Sequence, residues 1–85
     1  MPSRLARAVH YSPVHFGRLF RRFVGETPSA FLIRARMDAA KSLLRGSSAS
    51  ITQIAEYLGY GDVYFFSKQF REKVGSPPSE YRHAV

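Results

Sequence analysis

The chain repeats itself. Residues 16–31 read FGRLFRRFVGETPSAF and residues 66–81 read FSKQFREKVGSPPSEY, so an offset of 50 pairs Phe16 with Phe66, Phe20 with Phe70, Arg21 with Arg71 and Val24 with Val74. The same offset pairs Gly25 with Gly75, Pro28 with Pro78 and Ser29 with Ser79. Upstream the offset falls to 49, pairing Leu5 with Ile54, Ala6 with Ala55 and Val9 with Leu58, so the second copy has one extra residue in its turn. Two copies are too few for a solenoid. In 85 residues the sequence therefore has room for one duplicated helical unit and whatever joins its copies.

Each copy opens with a short helix. Ser50 followed by Gln53 is a capping-box pattern, in which the serine oxygen accepts from the amide three residues on and the glutamine reaches back. Ile51, Ile54, Ala55 and Leu58 then fall at i, i+3, i+4 and i+7, a one-faced apolar stripe that Gly59 can end in the left-handed conformation. Leu5, Ala8 and Val9 form a thinner stripe in the first copy, from about Ser3. After a tight turn comes the longer helix of each copy. Ser12 with Pro13 at the first helical position opens one, and Asp62 opens the other. In the first, Phe16, Leu19, Phe20 and Phe23 are the expected buried stripe, which leaves Val14, Gly17, Arg18 and Arg21 on the opposite side. In the second, Phe66, Phe70 and Val74 are expected to point inward, and Tyr64, Ser67, Lys68 and Arg71 outward.

Between the copies, Thr27 caps and Pro28 starts a helix expected to run to about Arg45, with Gly46 placed to end it. Such a rod is about 27 Å long at the helical rise. Ala35, Ala39, Ala40, Leu43 and Leu44 favour the helix, and Arg34, Arg36 and Lys41 are expected to keep part of it wet. The expected fold is all-α: a first helix-turn-helix unit over residues 1–26, a linker helix over 27–46 and a second unit over 47–85. B-DNA presents the same face every ~34 Å, so two reading helices on such a rod reach successive major-groove segments only if the rod matches that repeat or the DNA bends.

Charge and composition narrow the function. Lys and Arg outnumber Asp and Glu to give +7, and the excess is lopsided. Residues 1–45 hold nine cationic side chains against Glu26 and Asp38, while residues 46–85 balance to zero. A polyanion would be held mainly by the first half, because each neutralised phosphate releases condensed counterions. A merely solubilising basic surface is the bland alternative. With no cysteine there is no disulfide framework or thiolate zinc site, and a reducing compartment, the cytoplasm, is the default expectation. The sequence has no apolar run long enough to span a bilayer, so no membrane partner is expected. The three histidines lack metal-ligand spacing, the six acids are scattered and no serine sits in a nucleophile pattern. An enzyme is therefore not expected, and neither a metal nor a cofactor.

A helix whose outer face carries arginines among small and hydrogen-bonding residues suits a major groove about 12 Å wide. The same face is also that of any amphipathic helix in water. Its appearance in two copies, each after a short helix and turn, favours the first reading. Three alternatives stay open: non-specific or architectural DNA binding, RNA binding through exposed Tyr64 and Phe65, and a protein-interaction module.

The residues resemble the carboxy-terminal DNA-binding domain of the AraC/XylS transcription regulators over nearly the whole chain. The most specific stretch is IAEYLGYGDVYFFSKQFREKVGSPPSEYR from Ile54 to Arg82. It matches the family's Ile-Ala, Gly-Tyr/Phe, Phe-Ser, Phe-Arg/Lys, Gly, Pro and Tyr-Arg positions in order. The linker resembles the family's through Phe31, Arg36, Ala40, Leu43 and Leu44. The resemblance implies homeodomain-like tri-helical units, and a bacterial regulator that binds double-stranded DNA on the nucleoid and meets RNA polymerase at a promoter. It places base-reading positions on Val14, Gly17 and Arg18 in the first unit and on Tyr64, Ser67 and Lys68 in the second, in agreement with the outward faces above. The family's usual opening helix is missing or reduced here to the segment before Leu5. Its effector or dimerisation domain is absent, as expected of a fragment or an unusually short member.

In such a complex Arg18 and Lys68 are the side chains able to donate to guanine O6 and N7. Arg21, Arg22, Arg71 and Lys73, together with His15 and the helix starts at Ser12 and Asp62, are the expected phosphate contacts. Gly17 touches bases only weakly but lets the backbone come close.

Overall fold

The computed structural model describes residues 13–84, with side chains from Phe16 onward. Five helices follow one another: α1 (Pro13–Val24), α2 (Pro28–Gly46), α3 (Ile51–Tyr57), α4 (Val63–Val74) and α5 (Pro78–His83). Among the described residues no strand is present, so the fold is all-helical as expected. The short opening helix expected over Leu5–Val9 lies outside the described residues. The chain packs as two units that divide between Ile33 and Arg34, inside α2.

The repeat is realised in backbone geometry. Gly25 and Gly75 both adopt positive φ, at 92° and 107°. Each donates its amide to the carbonyl four residues back, Arg21 at 2.8 Å and Arg71 at 2.9 Å. Only glycine takes this left-handed turn without a Cβ penalty, which is why both copies keep it. A proline then starts the next helix in each case, Pro28 for α2 and Pro78 for α5. Thr27 caps α2 as expected, its Oγ1 accepting from the Ala30 amide at 3.1 Å.

In the first unit, Phe20 is the centre of what packs. Its ring meets Phe16 at 6.1 Å and, edge to face, Phe31 at 5.6 Å. The expected buried stripe is only partly so. Leu19 and Phe20 are half-buried, but Phe16 is 44% exposed and Phe23 81%. Among the described residues, the start of α2 lies against α1 through the Phe31 ring, which reaches Phe20. The offset of 50 pairs Phe23 with Lys73, an exposed position, so the repeat itself places this ring outside.

The second unit has a true core. Met37, Ala40 and Leu44 of α2, Ile54 and Ala55 of α3, Tyr60 of the turn, Phe66 and Phe70 of α4 and Pro78 of α5 are all buried. Met37, Ala40 and Leu44 follow one another at helical spacing, so the half of α2 in this unit serves as a core helix as well as a linker. Aromatic rings run through the core in a chain: Tyr60 to Phe66 at 5.1 Å, Phe66 to Phe70 at 5.9 Å, and Phe70 to Tyr81 at 5.5 Å edge to face. Two guanidiniums of α2 close its ends. Arg36 lies 5.1 Å from the Tyr60 ring centre and Arg45 4.2 Å from that of Tyr81, within cation–π range. Arg36 is thus half-buried and packed, where the sequence suggested a wet residue.

The helix α2 ends where the sequence places its end. Gly46 is its last residue, yet it is not among the positive-φ glycines. The Ser47 hydroxyl instead donates to the Leu43 carbonyl at 2.7 Å. Arg82 of α5 donates from Nε to the Leu44 carbonyl at 2.8 Å and from its Nη2 to that of Ser47 at 3.3 Å. The last carbonyls of α2 are met by these side chains and, at Leu43, by the Ser47 amide as well, at 3.1 Å.

Candidate nucleic-acid interface

The turn between α3 and α4 fixes how α4 is presented. Ser50 and Gln53 form the reciprocal capping box at the start of α3, with the Gln53 amide donating to Ser50 Oγ at 3.0 Å and the Ser50 amide to Gln53 Oε1 at 2.8 Å. At its end Gly59 adopts φ 94°. Its amide donates to the Glu56 carbonyl at 3.0 Å, and the next amide, of Tyr60, reaches back to Ala55 at 2.9 Å. That pair of bonds is a Schellman motif, and the buried Tyr60 is the apolar contact that accompanies it. Arg36 leans on the same corner, since a Cβ on Gly59 would lie 3.6 Å from its Nη2.

Tyr60 is held by its polar end too. Its hydroxyl donates to Gln69 Oε1, which ties the turn to the middle of α4. Burial raises the pKa of this hydroxyl above 10.0, and the Arg36 guanidinium opposes that rise. The group is thus a neutral donor at physiological pH.

Asp62 caps α4, its Oδ1 accepting from the Tyr64 amide at 2.9 Å. That carboxylate is committed to the cap, so only the backbone amides of the first turn remain for an anion. From there the helix presents two unlike faces. Phe66 and Phe70 are 0% exposed, whereas Tyr64 is 81% exposed and Lys68, Arg71 and Lys73 all lie in solvent. Ser67 is half-buried beside them, as is Val74 on the inward side. Phe65, 55% exposed, stands next to Tyr64.

On α1, Arg18, Arg21 and Arg22 are exposed, and Gly17 faces open space, with nothing within 4 Å of an added Cβ. Arg21 and Arg22 occupy the last turn, where they also complement the negative end of the helix dipole. Val14 and His15 belong to α1, but their side chains lie outside the described residues, as does Ser12 altogether. Two residues that matter to the site were not singled out for it from sequence: Arg36, which braces the turn, and Tyr60, which locks it to α4. The Gly59–Tyr60 pair carries the signal for Tyr60, because an aromatic after a left-handed glycine marks the apolar contact of that cap. Among the described residues no group of acidic, histidine or cysteine side chains could hold a metal ion, and no helix is long and apolar enough to cross a membrane.

A short capped helix, a glycine corner and a longer helix with a cationic open face define the helix-turn-helix class. A family model described as a helix-turn-helix domain matches residues 5–84. The chain belongs to that family, as a DNA-binding domain of AraC-type transcription regulators. The uncharacterized HTH-type transcriptional regulator YidL of Escherichia coli (strain K12) is 37% identical over 75 residues, which is 88% of this chain and 25% of that protein. The C-terminal domain of the two-component response regulator yesN from Fusobacterium nucleatum superposes with a TM-score of 0.86 at 28% identity, covering 98% of this chain and 81% of that one. The DNA-binding domain of AdpA, a global transcriptional factor solved in complex with a target DNA, superposes with a TM-score of 0.82 at 32% identity, covering 96% of this chain and 74% of that one. The chain spans between 25% and 34% of the length of such curated relatives.

Proposed function

We propose that this chain binds double-stranded DNA sequence-specifically as the reading part of a transcription regulator, with α1 and α4 in successive major-groove segments. The observation that carries the reading is the split character of α4, with Phe66 and Phe70 fully buried and Tyr64, Lys68 and Arg71 in solvent. Arg18 and Lys68 donate to guanine O6 and N7, and Val14, Gly17, Tyr64 and Ser67 complete the two reading faces. Arg21, Arg22, Arg71 and Lys73, with His15 and the helix-start amides at Ser12 and Asp62, hold phosphates and set the register. The complex forms in the cytoplasm, on the nucleoid, and RNA polymerase at the promoter is the protein partner.

The test is selection of bound duplexes from a random pool, followed by comparison with scrambled duplex at one salt concentration. A reader favours the selected duplex by about 4 kcal/mol or more. The net charge of +7 favours a second reading, non-specific coating of DNA. Under that reading affinities for the two duplexes are equal and both fall steeply with salt. Equal affinities overturn the proposal.

A further inference from the structure

We infer that Phe65 is a specificity residue that reads the C5-methyl group of a thymine in the major groove, beside the cationic face of α4. The inference rests on the DNA-reading function proposed above.

Phe65 is 55% exposed and adjoins Tyr64, which is 81% exposed. At about 100° per residue, Phe65 sits roughly 60° around the helix from Lys68 and farther from the buried line of Phe66 and Phe70. It therefore flanks the open face. Its ring is also fixed in place. Tyr60 lies 5.9 Å from it, and Tyr60 is itself buried against Phe66, bonded to Gln69 and covered by Arg36. The Phe65 ring thus packs on a held neighbour while more than half of the residue stays in water, which lowers the ordering cost of binding.

The repeat does not keep a phenyl group at this position. The offset of 50 pairs Phe65 with His15, a polar side chain at the same point of the first copy. A half-exposed phenyl gains free energy chiefly by covering apolar surface. The base edges of a major groove offer one apolar group, the thymine methyl.

The test uses the duplex recovered by selection, with each thymine replaced in turn by deoxyuridine, which removes only the methyl. The intact chain is expected to lose roughly fourfold in affinity at one thymine of the α4 segment. Phe65→Ala is expected to bind the thymine and uracil duplexes alike, with helicity and melting checked alongside. Phe65→Leu, which keeps an apolar side chain, retains a reduced preference. If no single replacement matters to the intact chain, or if the thymine preference persists in Phe65→Ala, the inference is overturned while the DNA-reading function stands. If the selected and scrambled duplexes bind equally, the function itself fails and takes the inference with it.

Discussion

Arg82 donates from Nε to the carbonyl of Leu44 at 2.8 Å, across 38 residues of chain. The bond joins the last helix to the C-terminal end of α2. The neighbouring pair repeats the connection, with the Arg45 guanidinium 4.2 Å from the Tyr81 ring centre. Hydrogen bonds from a charged donor contribute about 1.5–3 kcal/mol each, and a half-buried carbonyl left without one bears a further cost. Arg82→Ala is therefore expected to destabilise the second unit by about 2 kcal/mol in urea denaturation, and Arg82→Lys to recover only part, because a lysine cannot fork to Leu44 and Ser47 together. A substitution that left the denaturation midpoint in place would show that the contact is not a structural tie.

Tyr60 gives the unit a defined alkaline weakness. Burial raises its folded-state pKa above 10.0 against the opposing influence of Arg36. The unfolded tyrosine ionises first. Its contribution to stability is whole below pH 10, falls as pH rises through the window between the unfolded value and the raised folded one, and is flat beyond. Tyr60→Phe loses the bond to Gln69, about 0.5–1.5 kcal/mol near neutral pH, but has no hydroxyl to ionise. The stability advantage of the native chain over Tyr60→Phe should accordingly shrink above pH 10. A constant advantage from pH 7 to 11 would contradict the assignment of this titration to Tyr60.

Local rules made much of this legible in the sequence. The capping box at Ser50 and Gln53, the caps at Thr27 and Asp62, the left-handed Gly59 and the inward set Phe66 and Phe70 each depend on residues a few positions apart. The structure has all of them. What escaped depends on residues far apart in sequence. Arg82 could not be seen as the cap of α2 because its partners lie 38 and 35 residues away. Arg36 read as wet because helical spacing alone does not reveal that Tyr60 comes back over it. Phe23 shows the opposite failure. A periodic stripe was extended one turn beyond its partner, although the repeat pairs it with Lys73. The outward face of α4 was readable because the buried one was so well defined.

Two arginines of α1 offer a test of the proposed division between positioning and reading. Arg18 and Arg22 are both exposed on the same helix. Their substitution should leave stability within about 0.5 kcal/mol. Arg18→Ala is expected to relax base preference at one position of the selected duplex, by about 1–3 kcal/mol of discrimination. Arg22→Ala should weaken all duplexes alike and reduce the salt slope by about one. Uniform weakening by both variants would remove Arg18 from the reading set.

Gly17 tests whether the backbone of α1 approaches the bases. It lies inside a twelve-residue helix, where glycine is less favourable than alanine by about 1 kcal/mol. An added Cβ would meet nothing within 4 Å, so the fold has no steric need for glycine here. Gly17→Ala is thus expected to stabilise α1 by up to about 1 kcal/mol, read as a rise in helicity and melting temperature. If Gly17 faces the groove at close range, the same methyl group must instead crowd the DNA, and affinity for the selected duplex falls although the protein is more stable. Opposite signs in the two measurements are the expected result. A variant both more stable and equally tight on DNA would mean that α1 meets the groove through its arginines, with the backbone held away from the base edges.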